Sequence, residues 1–454
     1  MQTDETVVHS TRQHFSRRRF IQMAGSASLL AGLGSGAIMP GRASAQQKTL
    51  KILQWHHFVP EYDRWFNEVY VKEWGQNNDT KVIVDNVGMT SLDGRAAAEV
   101  AAQQGHDLFM FLLPPPVYED QVIDHREIYE ECRHRYGAPL DVAIKSTYNP
   151  KTNKFFGFSD SYVPDPVNYR KDLWDDVGQF PNTWDDVRLG GRAIKHKHGI
   201  PVGIGLAAEL DTNMALRSIM AAYGASVQDA QGNPVLKSRH TLEALKFVKA
   251  LYRETMTDEV FAWDASSNNR LMLAGRGSLT LNAISITRTG ENQRISLSDR
   301  IWLAKGLEGP ARRIALVHLM NVYTIWKFAD NIEGAKQFLV DYVGNFRQGF
   351  LASQFYNMPC FPQTVPDLDA LIVNDAQATP RDKYKVFADV SAWTTNVGYP
   401  GYANAAIDEI FRTWLISTMF AQTASGRLTP EQALHQADQE VQRIFQAWGS
   451  RGKV

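Results

Sequence analysis

Cysteine is scarce in this chain, and neither sign of charge is in excess. Only Cys132 and Cys360 occur among 454 residues, too few for a disulfide scaffold and without the spacing of metal ligands. We expect two buried free thiols, although an oxidising compartment would allow them to pair. Lys and Arg number 48 against 49 Asp and Glu, a balance that gives no reason to expect nucleic acid or an anionic membrane as a partner.

Sequence motifs of the common catalytic sites are also missing. There is no Gly-x-Ser-x-Gly, no glycine-rich phosphate loop with Lys and Ser/Thr, and no His-Glu-x-x-His. His56 and His57 are neighbours at a predicted strand end and point to opposite faces. His196 and His198 lie at a predicted helix end, where cations complement the helix dipole. We therefore expect no catalytic residues, no cofactor and no metal.

The first 45 residues have the features of an export signal. Ser-Arg-Arg-Arg-Phe-Ile-Gln at 16–22 matches the twin-arginine signature, a Gly/Ser/Ala-rich apolar run follows, and Ala43-Ser44-Ala45 is a small-residue cleavage site. No cysteine follows the run, so we expect no lipid anchor, and no later apolar run reaches the length of about 18 residues that a membrane span requires. We expect a mature chain that starts near Gln46 in the periplasm. An amino-terminal amphipathic helix or an uncleaved anchor is the alternative.

Strand and helix patterns alternate at the start of the mature chain. The apolar run Leu50–Trp55 predicts a strand, Tyr62–Trp74 has apolar residues at helical spacing, and Lys81–Asp85 predicts a second strand. A third predicted strand, His106–Phe111, ends before three prolines. This order predicts a wound α/β sheet, in which ligands bind outside the carboxyl ends of the strands.

Two prolines mark a crossing further along the chain. Pro164 and Pro166 fix φ and lack an N–H, so the segment around Asp165 must run extended. Thr183 is a good N-cap with two aspartates behind it, and it predicts a helix that begins at Trp184. We expect the chain to pass here from one lobe of the molecule to another.

The residues after the crossing resemble a known family. Asn-Tyr-Arg-Lys-Asp-Leu-Trp at 168–174, followed by Pro-Asn-Thr-Trp-Asp-Asp at 181–186, resembles the centre of the bacterial extracellular solute-binding proteins that feed ABC importers, of the maltodextrin- and sugar-binding kind. Residues 271–282 and 426–434 resemble further family motifs in the expected order. The resemblance covers residues 48–448.

The resemblance implies an α/β fold of the periplasmic binding protein-like type II class. Such a protein has two lobes, each with a central β-sheet flanked by helices, joined by crossover hinge segments. Residues 46–163 and about 313–375 would form lobe 1, and residues 164–312 and about 376–454 would form lobe 2. A ligand that bridges the lobes would favour the closed form by its higher affinity for that form.

Aromatic and polar side chains at predicted strand ends and loops are the candidate ligand contacts. Aromatic faces suit the C–H face of a sugar or a quaternary ammonium, and carboxylates and amides suit hydroxyl groups. The aromatic candidates are Trp55, Phe111, Tyr162, Trp263 and Tyr399. By position, the resemblance implies contacts at His56, His57, Phe111, Tyr162 or Asp165, Asp211, Asn282, Ser285 and Tyr399. Ser285 and Thr287 stand where sugar-binding members often carry tryptophans, which disfavours a long stacked oligosaccharide.

The resemblance implies the substrate-binding component of an ABC importer, a periplasmic monomer that captures a sugar, small oligosaccharide or polyol and delivers it to a membrane permease. A charged solute is the alternative. A polyamine would require Asp165, Asp211 and Asp264 to face the ligand, and a sugar phosphate would require arginines or helix amino termini. A periplasmic enzyme is a third hypothesis, which the missing catalytic motifs disfavour.

Overall fold

The structure, a computed structural model, describes residues 48–454. The predicted export signal and its cleavage site at Ala45 lie outside the described residues. The strands are β1 Lys48–Trp55, β2 Thr80–Val87, β3 Leu108–Phe111, β4 Tyr148–Asn149, β5 Lys154–Phe155, β6 Phe158–Val163, β7 Val167–Arg170, β8 Leu279–Leu281, β9 Ile301–Ala304, β10 Ala315–Leu316, β11 Leu319–Ile325, β12 Met358–Pro359 and β13 Thr394–Thr395. The helices are α1 Pro60–Trp65, α2 Val71–Asn77, α3 Leu92–Ala102, α4 Arg126–Tyr136, α5 Asp141–Thr147, α6 Lys171–Asp176, α7 Trp184–His198, α8 Leu210–Ala222, α9 Arg239–Thr255, α10 Ser267–Leu273, α11 Ser285–Asn292, α12 Ile332–Gly344, α13 Phe346–Ala352, α14 Leu368–Val373, α15 Ala405–Arg412, α16 Leu415–Ala424 and α17 Pro430–Gly449. Within residues 48–454, none of the helices combines the length and apolar character needed to cross a membrane.

Six strands form the larger sheet, in the order β12-β6-β11-β3-β1-β2. β1 is parallel to β2 and β3, whereas β11 is antiparallel to β3 and β6, and β12 is antiparallel to β6. Every residue of β3, β6 and β11 is buried, as expected for central strands that are covered on both faces. The three strands predicted at the start of the mature chain are confirmed.

β7 lies at the centre of a separate antiparallel sheet, with β8 and β9 as its neighbours. β6 ends at Val163 in the larger sheet, and β7 begins at Val167 in the smaller one. Pro164–Pro166 therefore carries the chain from one sheet to the other, which confirms the predicted crossing. The chain returns to the larger sheet between β9 and β11. The exact lobe boundaries stay a prediction.

α7 begins where the sequence predicts. Thr183 Oγ1 accepts a hydrogen bond from the Asp186 backbone N–H (3.0 Å), and Asp186 Oδ2 accepts one from the Thr183 N–H (2.8 Å). This capping box satisfies N–H groups that have no partner within the helix. Trp174 and Trp184 lie on predicted helices at apolar spacing, which predicts a structural role, and both are buried in the core.

The apolar run Ile200–Leu206 predicts a further strand from its sequence, and this prediction is wrong. Val202 forms one isolated bridge with Leu279 instead of a strand ladder. The Val202 N–H donates to Thr255 O (2.9 Å), whereas the next N–H along the chain donates to Leu279 O (2.8 Å). The segment is extended, but successive N–H groups bond to different elements. An extended apolar segment and a buried strand have the same residue pattern, and only the placement of the neighbours distinguishes them.

The sequence after Tyr402 predicts one long helix that runs to about Thr423, but the structure has two helices there. α15 ends at Arg412 and α16 begins at Leu415. Trp414 between them has φ 57° and ψ 26°, a left-handed conformation that is uncommon for residues other than glycine. The sequence has no glycine or proline at this point, so it gives no signal of the break.

Cys132 and Cys360 are buried free thiols, as expected. Burial raises the pKa of the Cys132 thiol to about 12, so the thiol stays protonated at neutral pH. Cys360 Sγ lies 3.5 Å from Ser159 Oγ in the larger sheet.

The packing between α6 and α7 can be tested at Gly190 of α7, with Gly94 of α3 as the control. A Cβ at Gly190 would come within 2.4 Å of the Trp174 ring, whose Nε1 is fixed by a hydrogen bond to Ser278 O (3.1 Å), whereas a Cβ at Gly94 would meet nothing within 4 Å. We expect Gly190→Ala to lower the free energy of unfolding by about 1–3 kcal/mol through overpacking. Gly94→Ala should raise it by about 0.5 kcal/mol through helix propensity. Urea denaturation of both variants checks this, and equal effects would contradict it.

Candidate functional site

A cavity of about 500 Å³ lies between the carboxyl end of β3 and the start of α8. Phe111–Leu113 form its first wall, and Ala208–Leu210 with Trp263–Ala265 form its second wall. Residues around the start of α3 and the break between α15 and α16 close the sides. The carboxyl ends of parallel strands are the usual place for ligands in α/β folds, so this cavity is the candidate site.

Other aromatic rings hold Phe111 in the first wall. The Tyr118 ring stacks on it at 5.7 Å between centroids, and Trp326 meets it edge to face at 6.2 Å. Phe111 is only 2% exposed. Its ring is therefore fixed before any ligand arrives, and it presents a small apolar surface to the cavity.

The second wall begins with the cap of α8. The Glu209 carboxylate accepts hydrogen bonds from the N–H groups of Asp211 (2.7 Å) and Thr212 (2.5 Å). Negative charge here complements the positive end of the helix. Burial raises the pKa of Glu209, and the bonds from Thr212 and Asp211 act against that rise. Trp263 packs in the same wall beside Gly203, where a Cβ would come within 2.8 Å of the indole, so glycine leaves room for the ring.

The remaining charged side chains of the cavity have partners of opposite sign. Arg412 pairs with Asp93 and donates from Nε to Asp408 Oδ1 (2.6 Å). Asp264 accepts from Arg270 Nη2 (2.9 Å), and the backbone N–H bond from Ser266 lowers the pKa of Asp264. The cavity thus combines aromatic surfaces with paired charges, which suits an uncharged polar ligand that has apolar faces.

A family model described as bacterial extracellular solute-binding protein matches residues 59–346. The chain belongs to this family. Comparison with curated protein sequences finds no match.

Three solved structures show what the fold of this solute-binding protein is similar to. The maltose-bound MalE3 of T. maritima has 16% sequence identity and a TM-score of 0.72, with 87% of this chain and 99% of that chain covered. A solute-binding protein of Thermotoga lettingae bound to α-D-tagatose has 17% identity and a TM-score of 0.71, with 87% and 99% covered. A solute-binding protein of Agrobacterium radiobacter bound to ribitol has 15% identity and a TM-score of 0.68, with 88% and 99% covered. The fold is the two-lobed α/β architecture of type II periplasmic binding proteins, as the sequence resemblance implied.

Two of the predicted ligand contacts, Phe111 and Trp263, lie on the cavity walls, whereas Glu209, Arg412 and Trp414 lie there without having been predicted. An acidic residue beside a predicted helix start is a recognisable signal, and it could have identified Glu209 as part of a helix end. Arg412 is the last residue of α15, and Trp414 directly precedes α16. Both line the cavity at this break between the two helices. Since the break has no sequence signal, neither residue could have been predicted.

The structure places Trp55 and His57 in an aromatic cluster and not on the cavity walls. The ring centroid of His57 lies 5.1 Å from that of Trp55 and 5.0 Å from that of Tyr356. Burial lowers the pKa of His57 to about 4, so the imidazole is neutral at pH 7. His56 is exposed, with Nδ1 3.7 Å from Asp63 Oδ2. Among the described residues, no group of three or more His, Cys, Asp or Glu could hold a metal ion.

Tyr162 and Tyr399 also lie away from the cavity walls. Tyr162 belongs to β6, is buried, and borders a separate hollow of about 380 Å³ that residues of α5 and β13 line. Tyr399 is half-buried, and its hydroxyl accepts a hydrogen bond from Arg312. For both tyrosines, contact with a ligand stays a prediction.

Asn282 and Ser285 are buried and bonded to the same neighbour. Asn282 Nδ2 donates to Asn269 Oδ1 (2.5 Å), and Asn269 Nδ2 donates to Ser285 Oγ (3.0 Å). Thr287 is buried as well, and its hydroxyl donates to Ile284 O (3.0 Å). These contacts join α10 to the start of α11, and a role in ligand binding stays a prediction.

Asp165 and Asp211 face a histidine that no sequence pattern identified. His318 Nδ1 lies 3.1 Å from Asp165 Oδ1, and Nε2 lies 3.6 Å from Asp211 Oδ1. Asn268 Nδ2 donates to Asp211 Oδ2 (2.6 Å). Both carboxylates are therefore engaged inside the protein, directly behind the second wall of the cavity.

A larger groove of about 580 Å³ runs along β2 and α2. β2 is an edge strand of the larger sheet, and the residues that line the groove include no aromatic side chain. The groove therefore lacks the aromatic surface that small-molecule sites usually have, and the cavity at β3 and α8 is the better candidate.

The ion pair of Arg412 with Asp408 can be tested by a double variant. The Asp408 side chain is 4% exposed, and burial raises its pKa to about 6 despite Arg412. We expect Arg412→Met to lower the free energy of unfolding by about 3 kcal/mol at pH 8, because it leaves a buried carboxylate without its cation. Adding Asp408→Asn should restore most of the loss, and urea denaturation measures both. A double variant as unstable as the single one would contradict this account.

Proposed function

We propose that this protein captures a sugar, small oligosaccharide or polyol in the cavity at β3 and α8 and delivers it to the membrane permease of an ABC importer. Membership of the solute-binding family supports the transport role. The observation that carries the ligand class is the lining of the cavity. Phe111, Trp263 and Trp414 supply aromatic surface, while Glu209 provides carboxylate oxygens near the wall. Ring faces and hydroxyl groups of a sugar match these two kinds of surface.

The pairing of charges favours a neutral ligand over the charged alternatives. A polyamine would need free carboxylates, but Asp93 and Asp264 already pair with arginines, and the Glu209 carboxylate accepts two backbone N–H bonds at the start of α8. A sugar phosphate would need a free cation, but Arg412 is shared between two carboxylates. A charged ligand would therefore have to displace existing ion pairs, whereas a neutral ligand would leave them in place.

The volume of the cavity favours a small ligand. About 500 Å³ lies within the usual range of small-molecule sites. Ser285 and Thr287 are buried and provide no stacking surface for further sugar rings. The structural neighbours include proteins bound to tagatose, maltose and ribitol, which are small ligands of this class.

The proposed function also implies an export route to the periplasm and a monomeric state. Family membership indicates an extracellular protein, and the twin-arginine signature supports export to the periplasm by the twin-arginine machinery, without lipid attachment. We expect a monomer that carries out no covalent chemistry, because the proposed role requires only binding, closure and release.

Ligand binding is tested by thermal unfolding and calorimetry of the purified protein. D-Tagatose, maltose or ribitol should raise the melting temperature without turnover, because a ligand that binds only the folded state stabilises it. Trp263→Ala should weaken binding of that compound about tenfold or more, whereas Trp302→Ala, on a half-buried tryptophan of β9, should leave affinity unchanged. Stabilisation by spermidine or glucose 6-phosphate alone would reject the neutral ligand, and product formation would reject the binding role.

The export route is tested in bacterial cells. Arg17→Lys combined with Arg18→Lys should leave the precursor in the cytoplasm, because the twin-arginine machinery requires the arginine pair. Arg12→Lys lies outside the signature and serves as the control. Cell fractionation measures the outcome, and normal export of the double variant would show that another route is used.

A further inference from the structure

His318 is shared between two carboxylates from separate parts of the chain. Its Nδ1 lies 3.1 Å from Asp165 Oδ1, and its Nε2 lies 3.6 Å from Asp211 Oδ1. The three side chains are 3%, 1% and 10% exposed, respectively. Water therefore screens this contact little, and it is stronger than a surface ion pair.

His318 lies in the second crossing between the sheets and contacts residues of the first crossing. Asp165 lies in the first crossing, between β6 and β7. His318 ends the return segment, and its backbone N–H donates to Val163 O (2.7 Å) at the end of β6. Asp211 lies in the first turn of α8, directly after Leu210 of the second wall. The contacts of His318 with Asp165 and Asp211 therefore connect the second wall of the cavity to the crossings between the two sheets.

With both aspartates ionised, the arrangement suits a charged imidazole. A neutral imidazole has one N–H and one lone pair, so one of its nitrogens would present a lone pair to a carboxylate, whereas the imidazolium donates from both nitrogens. The other groups that face the contact are Glu209, which is close enough to interact by charge, and the buried hydroxyl of Tyr356. That hydroxyl has no hydrogen-bond partner among residues 48–454. All of the neighbouring ionisable groups are thus acidic, and the imidazolium is the cation that compensates them.

We propose that His318 is a positioning residue for ligand binding: as the imidazolium it holds the start of α8, and with it the second wall of the cavity, against the crossing, and it releases the wall when it loses its proton. This inference rests on the proposed function for the effect on ligand affinity. The geometry of the contact itself does not depend on the identity of the ligand.

The charge environment supports this role. Burial lowers the pKa of His318, but the charges of Asp211 and Asp165 outweigh burial and the pKa is raised above its ordinary value. Burial raises the pKa of Asp211 to about 7, and it also raises the pKa of Asp165. Each of these groups binds protons more tightly in the folded state than in the unfolded state. Their contribution to stability therefore declines as pH rises from the ordinary aspartate range past the raised pKa of His318.

The test without ligand uses the full-length protein. We expect imidazole nitrogen NMR at pH 6.5 to show two N–H groups on His318 and the loss of one of them at higher pH. The melting temperature should fall as pH is raised from 6 to 9. In the variant that combines His318→Gln with Asp211→Asn, this fall should be smaller, because the titrating pair is gone. A neutral His318 throughout this range would overturn the proposal, whether or not any sugar binds.

The test with ligand uses calorimetry with whichever of D-tagatose, maltose and ribitol binds. Affinity of the wild type should fall about five- to tenfold between pH 6.5 and pH 9, whereas His318→Gln should bind more weakly and with a flat pH profile. His57→Gln is the matched control, and its affinity should follow the wild-type pH profile. His57 is buried, but its pKa is lowered to about 4, so its charge does not change in this range. If His318→Gln fails to fold, the double variant takes its place.

The outcomes separate the two proposals. If none of the three compounds binds, the proposed ligand class fails, and the NMR result still decides whether His318 is the shared imidazolium. If a sugar binds and the affinity of His318→Gln follows the wild-type pH profile, the positioning role is overturned while the transport role stands.

Discussion

Pro164 and Pro166 stop β6 from continuing, and the rest of the architecture depends on this break. Neither residue can donate a hydrogen bond to a sheet, so the chain leaves the larger sheet at Val163 and starts a second sheet at Val167. The return segment is bonded back to the same point through the His318 N–H and Val163 O (2.7 Å). The two sheets are therefore linked at this point, and the space between β3 and α8 forms the candidate cavity.

Charge pairing at the walls of the cavity supports the proposal of a neutral solute. Burying an unpaired charge is costly, and the arginine and aspartates at the walls are paired within the protein. The rings of Trp263 and Trp414, with the small exposed part of Phe111, remain as aromatic surface for a ligand. A solute with apolar faces and neutral hydroxyl groups can bind there without exchange of ion pairs.

Two buried histidines show how surroundings change the same side chain. His57 lies among aromatic rings and amide groups, and burial lowers its pKa to about 4. His318 is equally buried, but two aspartates face its ring and the pKa is raised. Burial alone therefore does not predict the charge of a histidine, because the sign of the shift depends on the partners.

Local patterns in the sequence were sufficient for much of the fold. The prolines, the Thr183 cap and the apolar strand runs depend on backbone chemistry within a few residues, so the crossing, α7 and the first three strands were predicted correctly. The left-handed break at Trp414, the failed strand at Ile200–Leu206 and the neighbours of the two aspartates were decided by tertiary structure. The failed strand and the partners of the aspartates depend on groups that lie far apart in sequence, such as Leu279 beside Val202 and His318 beside Asp165, and a local pattern contains no information about such contacts.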